Sequence, residues 1–161
     1  MRRDMRTERF LDDEIVLIVA PAHEWSEREM VEPGELKQER FLMRERGSGT
    51  RRVVEVALQK RGIRMKQLNV AMLLDSTEAI ITAVEAGLGV AFASRWSIGK
   101  ELQLRTVRVV PIRGLNIVRP LSLAYPLGRE PQGLALTFLD FVRSRRHLIA
   151  EGPQQKRVGA P

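Results

Sequence analysis

Gly47-Ser48-Gly49-Thr50 is the stretch of this sequence with the most chemistry to offer. If it opens a helix, unpaired backbone N–H groups there attract an anion, and the two hydroxyls add donors. Gly49 lets a ligand come close to the backbone. Arg44, Arg46, Arg51 and Arg52 flank the segment, and one of them could hold a ligand carboxylate in a two-pronged contact. Glu45 and Glu55 lie close by, so most of these arginines read as a solvated rim. Taken by itself the segment is better explained as a helix start capped by Ser48 or Thr50. It is neither a Walker A loop nor a dinucleotide glycine pattern. Ser76 and Thr77, inside Asp75-Ser76-Thr77-Glu78, are likewise caps before they are ligands. His23 sits near Glu24 without an identifiable nucleophile, and His147 lies in a basic, tail-like segment. No catalytic set emerges, so no enzyme is expected. The absence of Cys rules out disulfides and Cys-ligated zinc, and two histidines alone make no His-rich metal site. No cofactor is implied.

These residues need elements to position them, and the apolar pattern supplies a set. Ile15 to Ala20 is a short β-branched run that Pro21 ends, as in a strand buried on both faces. Phe41-Leu42-Met43, Asn69 to Leu74, Val90 to Ala93, Val107 to Pro111 and Leu121 to Tyr125 read as further strands. Val53, Val54, Ala57 and Leu58 give the helix after Gly49 its apolar face, and Gly62 closes it. Asp75 or Ser76 starts a second helix, with Ile80, Ile81 and Val84 as its stripe and Gly87 just past its end. A short helix covers Arg95 to Leu102. Leu134, Phe138, Phe141 and Val142 make the last helix amphipathic. Strands alternating with helices predict a three-layer α/β arrangement with a mostly parallel sheet. Ligands in such sheets bind beyond the carboxyl ends of the strands. Ser48, Gly49 and Thr50, then Ser76, then Ser94 all fall at those ends.

Composition and charge narrow the class. Of 161 residues, 43% are hydrophobic, enough to support a core, and no apolar run is long enough to span a bilayer. No signal-peptide pattern follows Arg2-Arg3, so a cytoplasmic protein without membrane contact is expected. The net charge is +7. Most of it sits in residues 1–10 and 143–161, while the span between is nearly neutral, so the excess reads as solvated tails. No zinc-finger, homeodomain or RNP pattern is present, which argues against direct, specific DNA binding by this chain.

In combination the blocks resemble a family. Phe41-Leu42-Met43-Arg44-Glu45-Arg46-Gly47-Ser48-Gly49-Thr50-Arg51 is similar to the effector-domain segment of LysR-type transcriptional regulators. So is Asp75-Ser76-Thr77-Glu78-Ala79-Ile80, continuing through Val84-Glu85-Ala86-Gly87-Leu88-Gly89-Val90-Ala91. Asp13 to Val19, His23, Arg119-Pro120-Leu121 and Phe138-Leu139-Asp140-Phe141 fit in the same order. The resemblance covers about residues 11–145.

The resemblance implies a type 2 periplasmic-binding-protein-like fold, with one complete lobe and part of a second. Residues 38–112 would be the complete second lobe, and 11–37 with 113–147 a partial first lobe. Residues 1–10 would be a basic N-terminal tail and 148–161 a C-terminal tail. Crossovers are expected near 36–40 and 111–120. The strand Ile15–Ala20, left in an incomplete lobe, would show apolar surface and a free edge. Function by resemblance is the sensing of a small metabolite, a carboxylate or another anion, bound between the lobes. Ser48, Gly49, Thr50, Ser76 and Ser94 are the expected effector-binding residues. A homo-oligomer, most simply a homodimer, is expected. DNA would be reached only through a winged helix-turn-helix that this chain does not contain. The alternative is a type 2 periplasmic-binding-protein-like solute receptor or a related enzyme fragment, which shares the architecture.

Overall fold

The computed structural model describes residues 4–128 and 131–147. It contains strands β1 (Met5–Val19), β2 (Arg40–Arg44), β3 (Asn69–Leu74), β4 (Val90–Ser94), β5 (Arg108–Val110) and β6 (Ile117–Pro126). Its helices are α1 (Gly49–Lys60), α2 (Thr77–Glu85), α3 (Gly99–Leu104) and α4 (Leu134–Ser144). Short 3₁₀ turns occur at Glu35–Lys37, Met65–Gln67 and Arg95–Ile98. The chain forms two units, one of Glu14–Val118 and one holding the residues up to Asp13 together with those from Arg119 onward.

The larger unit holds the sheet β3-β2-β4-β1-β5. β2 runs parallel to both β3 and β4. β1 is antiparallel to β4 and to β5, so β2, β3, β4 and β5 all point one way and β1 alone points the other. Side chains alternate between two cores, as strand geometry requires. Ile15, Leu17, Val19, Phe41, Met43, Val90 and Phe92 enter one core, joined by Val54 and Leu58 of α1. Val16, Ile18, Leu42, Ala91 and Ala93 enter the other, joined by Ile80, Ile81 and Val84 of α2. Helices therefore cover both faces, and the three-layer expectation is met.

Two glycines have defined jobs in that packing. Gly87 ends α2 with φ +71°. Its N–H donates to the Val84 carbonyl and the next N–H, of Leu88, donates to that of Ala83. Gly89 brings β4 against β2, where a Cβ would lie 2.4 Å from the Arg40 carbonyl oxygen.

The placement of Ile15–Ala20 corrects the sequence-based expectation. This strand lies between β4 and β5 in the complete sheet, and Ile18 and Val19 are fully buried. It shows no free edge because both neighbours pair with it, and its side chains feed both cores. Trp25, Val31 and Leu36 are buried in the same unit. The boundary therefore falls after Asp13 rather than near residue 37, and the return after Val118. Residues 5–10, read from their charges as tail, begin β1. The expected tail 148–161 lies outside the described residues.

In the smaller unit β6 pairs with the first part of β1, and the Leu127 N–H donates to the Asp4 carbonyl. Asp13, 1% exposed, takes a salt bridge from Arg119 at 2.7 Å. Arg143 of α4 reaches Glu8 of β1 through Nε at 3.2 Å. The stripe on α4 is real but largely uncovered: Leu139 is buried, whereas Leu134, Phe138 and Phe141 are exposed.

Candidate functional site

The parallel strands of the larger unit deliver their carboxyl ends to one edge of the sheet. Arg44 at the end of β2 stands in register with Leu74 at the end of β3. Leu42 is level with Ala91, which by counting on sets Ser94 level with Glu45. Ser48, Gly49 and Thr50 follow β2, Ser76 follows β3 and Ser94 ends β4. The structure thus puts all five expected site residues at one edge, on two helix starts and a strand end.

Each does a local job as well. After β2 the chain turns at Gly47, with φ +104°. Ser48, only 7% exposed, is the N-cap of α1, and its Oγ accepts from the Arg51 N–H at 3.4 Å. The Ser48 carbonyl accepts from the Arg52 N–H at 3.1 Å. The Ser48 hydroxyl proton is not consumed by these bonds, so it can still be given to an incoming acceptor. Thr50 is half-buried and already engaged with neighbours. Ser76, rather than Asp75, caps α2 by accepting from the Ala79 N–H at 3.2 Å. Its own proton goes to Glu78 at 2.7 Å, so both capacities of that hydroxyl are in use. Ser94 is buried and engaged, and its side chain makes no cap for the following 3₁₀ turn.

The arginines divide into two kinds. Arg44 is held by the Glu45 carboxylate and by Thr77 Oγ1, the latter at 2.9 Å, which ties the end of β2 to the start of α2. Arg51 pairs with Glu55 at 2.8 Å and donates to the Arg44 carbonyl at 3.0 Å. Arg46 and Arg52 have no acidic partner among the described residues. The hydrogen bonds from Arg44 hold the Glu45 carboxyl below its usual value, and the Ser76 hydroxyl does the same for Glu78. The Arg44–Thr77 link joins residues 33 apart, which no local pattern in the sequence could announce.

His23 is structural in its contacts. Its Nδ1 accepts from the Trp25 N–H at 3.1 Å, which leaves Nε2 to carry the proton toward Glu39 at 3.3 Å. No group of three metal-ligating side chains occurs among the described residues, and no described helix is long and apolar enough to cross a membrane.

A sheet flanked by helices on both faces, with caps and cations collected at the strand ends, is the build of a small-molecule-binding α/β domain. Comparison with known proteins makes this specific. The sequence matches the family described as LysR substrate binding domain over residues 1–146, and the chain belongs to that family. Among curated relatives, a probable RuBisCO transcriptional regulator of Guillardia theta is 37% identical over 123 residues, covering 76% of this chain and 40% of that protein. One from Cyanidioschyzon merolae is 38% identical over 129 residues, covering 80% and 43%. The chain thus spans about two fifths of the length of these relatives. Among solved structures, the CcmR regulatory domain of Synechocystis in complex with 2-PG aligns with a TM-score of 0.80 at 26% identity, over 98% of this chain and 70% of that one. The effector binding domain of QuiR in complex with shikimate aligns with a TM-score of 0.77 at 16% identity, over 91% and 68%, a likeness of fold. Family membership removes the solute-receptor alternative.

Proposed function

We propose that this chain is the effector-sensing part of a LysR-type transcriptional regulator and that its ligand is a small anion held at the strand-end edge by Ser48, Gly49 and Thr50, with Ser76 and Ser94 beside them. The observation that carries the reading is the Ser48–Thr50 helix start. A buried cap there keeps a hydroxyl proton to give, at the positive end of a twelve-residue helix. The similarity to a domain that binds 2-PG, which is 2-phosphoglycolate, supports an anionic ligand of that size. Ser94 contributes shape and polarity. Ser76 would first have to release Glu78.

On this reading binding shifts the balance between protein arrangements, and DNA-binding domains elsewhere in a longer protein report that shift. The protein works in the cytoplasm as a homo-oligomer and meets DNA only through a winged helix-turn-helix outside this chain. The sequence ties self-association to an incomplete first lobe with Ile15–Ala20 exposed and to the usual symmetry of such regulators. That strand is buried, and the support comes instead from Leu134, Phe138 and Phe141 on α4.

The test is a ¹⁵N NMR titration of this chain with 2-phosphoglycolate at constant ionic strength. Saturable shifts centred on the amides of residues 47–52 are expected. Shifts spread evenly over the basic surface, or none at millimolar ligand, would reject the site. Sedimentation at micromolar concentration tests the oligomer, for which a lone 18.3 kDa species is the contrary result.

A further inference from the structure

An open groove of about 700 Å³ runs along α1 from its first turn toward the 3₁₀ turn at Met65–Gln67 and the start of β3. It shares Gly47, Ser48, Arg51 and Arg52 with the helix start at the strand ends and lies wholly in the larger unit. Besides Arg51, three cations line it: Arg46, Arg52 and Lys66. None has an acidic partner among the described residues. The one carboxylate in the lining, Glu55, is already spent on Arg51 at 2.8 Å. Met65 and Val70 supply the apolar part of the wall.

Three like charges brought to one concave surface without a counter-charge repel one another, and their field adds up inside the groove. A multiply charged anion converts that repulsion into attraction, and a singly charged one does so far less. The planar forks of Arg46 and Arg52 also suit phosphate oxygens. The groove is a bounded concavity of metabolite size rather than an extended basic stripe, so a nucleic-acid backbone fits it less well.

We infer that the Arg46–Arg52–Lys66 groove is a second anion site, one that takes a phosphoryl group of charge −2 or more on a small molecule. It adjoins the effector site proposed above, sharing Ser48 with it, and is told apart by Lys66 and Val70. Free inorganic phosphate and a phosphorylated metabolite share the recognised chemistry.

The test is NMR titration of this chain with acetate, inorganic phosphate and pyrophosphate, the ionic strength held constant with sodium chloride. Saturable shifts at the amides of Arg46, Arg52, Lys66 and Val70 are expected, with pyrophosphate tighter than phosphate and acetate weakest. The double variant Arg52→Gln/Lys66→Gln should weaken pyrophosphate by at least tenfold while its spectrum keeps the dispersion of the parent. Lys60→Gln/Lys100→Gln removes the same charge from other exposed positions and should change the affinity less than twofold. Equal weakening by both pairs would show diffuse attraction and overturn the site. So would shifts confined to residues 47–52, Ser76 and Ser94 with Lys66 and Val70 unmoved, which would leave the effector reading standing. Saturable displacement of pyrophosphate by a short random-sequence DNA duplex at low micromolar concentration would reassign the groove to nucleic acid. A phosphorylated metabolite that out-competes inorganic phosphate at equal charge would identify the physiological source as the metabolite.

Discussion

One strand of this protein lives in two environments. Residues 15–19 of β1 pair with β4 and β5, Leu17 and Ile18 with both, and are buried in two cores, whereas most of residues 5–12 lie half-exposed or exposed. The two amphipathic helices repeat the contrast. Ile80, Ile81 and Val84 of α2 are buried, while Leu134, Phe138 and Phe141 of α4 are not. An apolar stripe says that a face wants cover; it does not say whether the same chain provides it. Only the larger unit has helices on both faces of a five-stranded sheet, and a two-stranded ribbon with one helix has little to bury against.

The sharpest way to break this contrast is a pair of truncations. Phe41 has no exposed surface and stacks on Phe92 with ring centroids 5.9 Å apart, whereas Phe138 is 66% exposed. Phe41→Ala should cost about 3–5 kcal/mol in urea unfolding. Phe138→Ala should stay within about 0.5 kcal/mol at concentrations where the chain is monomeric, and should cost more where it self-associates. A large loss from Phe138→Ala would mean that self-association buries the α4 face.

Asp13, next to the exposed half, is 1% exposed and salt-bridged to Arg119. Asp13→Ala should therefore cost about 1.5–3 kcal/mol, the worth of hydrogen bonds to a charged group. Its loss should appear in amide exchange of residues 5–12 and 119–126 before it reaches β2. Equal loss of protection in residues 5–12, 119–126 and β2 would contradict this local role.

Acid should separate the units more gently. Hydrogen bonds from Arg143 hold the Glu8 carboxyl below its ordinary value of 4.5. A carboxyl lowered in the folded state stabilises it above the unfolded value, and that contribution fades as pH falls through the lowered value. Glu8 is half-exposed, so the effect is small. Below about pH 4.5, α4 amides should lose exchange protection before those of β2 and β4.

Much of the larger unit was legible in the sequence because its signals are local. The β-branched run Ile15–Ala20, the Ser48 and Ser76 caps and the glycine after α2 each fix an element within a few residues. What failed was assignment over distance. Ile15–Ala20 is a strand by composition, but only its pairing with β4 and β5, 73 or more residues away, shows which sheet takes it. Residues 5–10 looked like tail because the partner of Glu8 is Arg143 on α4, 135 residues away. Lys66 escaped notice for the same reason, since only the packing of its 3₁₀ turn brings it to the first turn of α1. At the site, the sequence named residues that reach one edge, but not that Ser76 gives its proton to Glu78 while Ser48 keeps its own.

The central claim is that an anion is sensed at the Ser48–Thr50 helix start, and the affinity of the Thr50→Val variant for 2-phosphoglycolate tests it most directly. Valine nearly preserves the shape of threonine and removes one donor. Calorimetry should show a ten- to hundredfold loss, about 1.5–3 kcal/mol for a hydrogen bond to a charged ligand. Unchanged affinity in a variant that folds as the parent does would make Thr50 part of the helix start and nothing more, and would contradict the account.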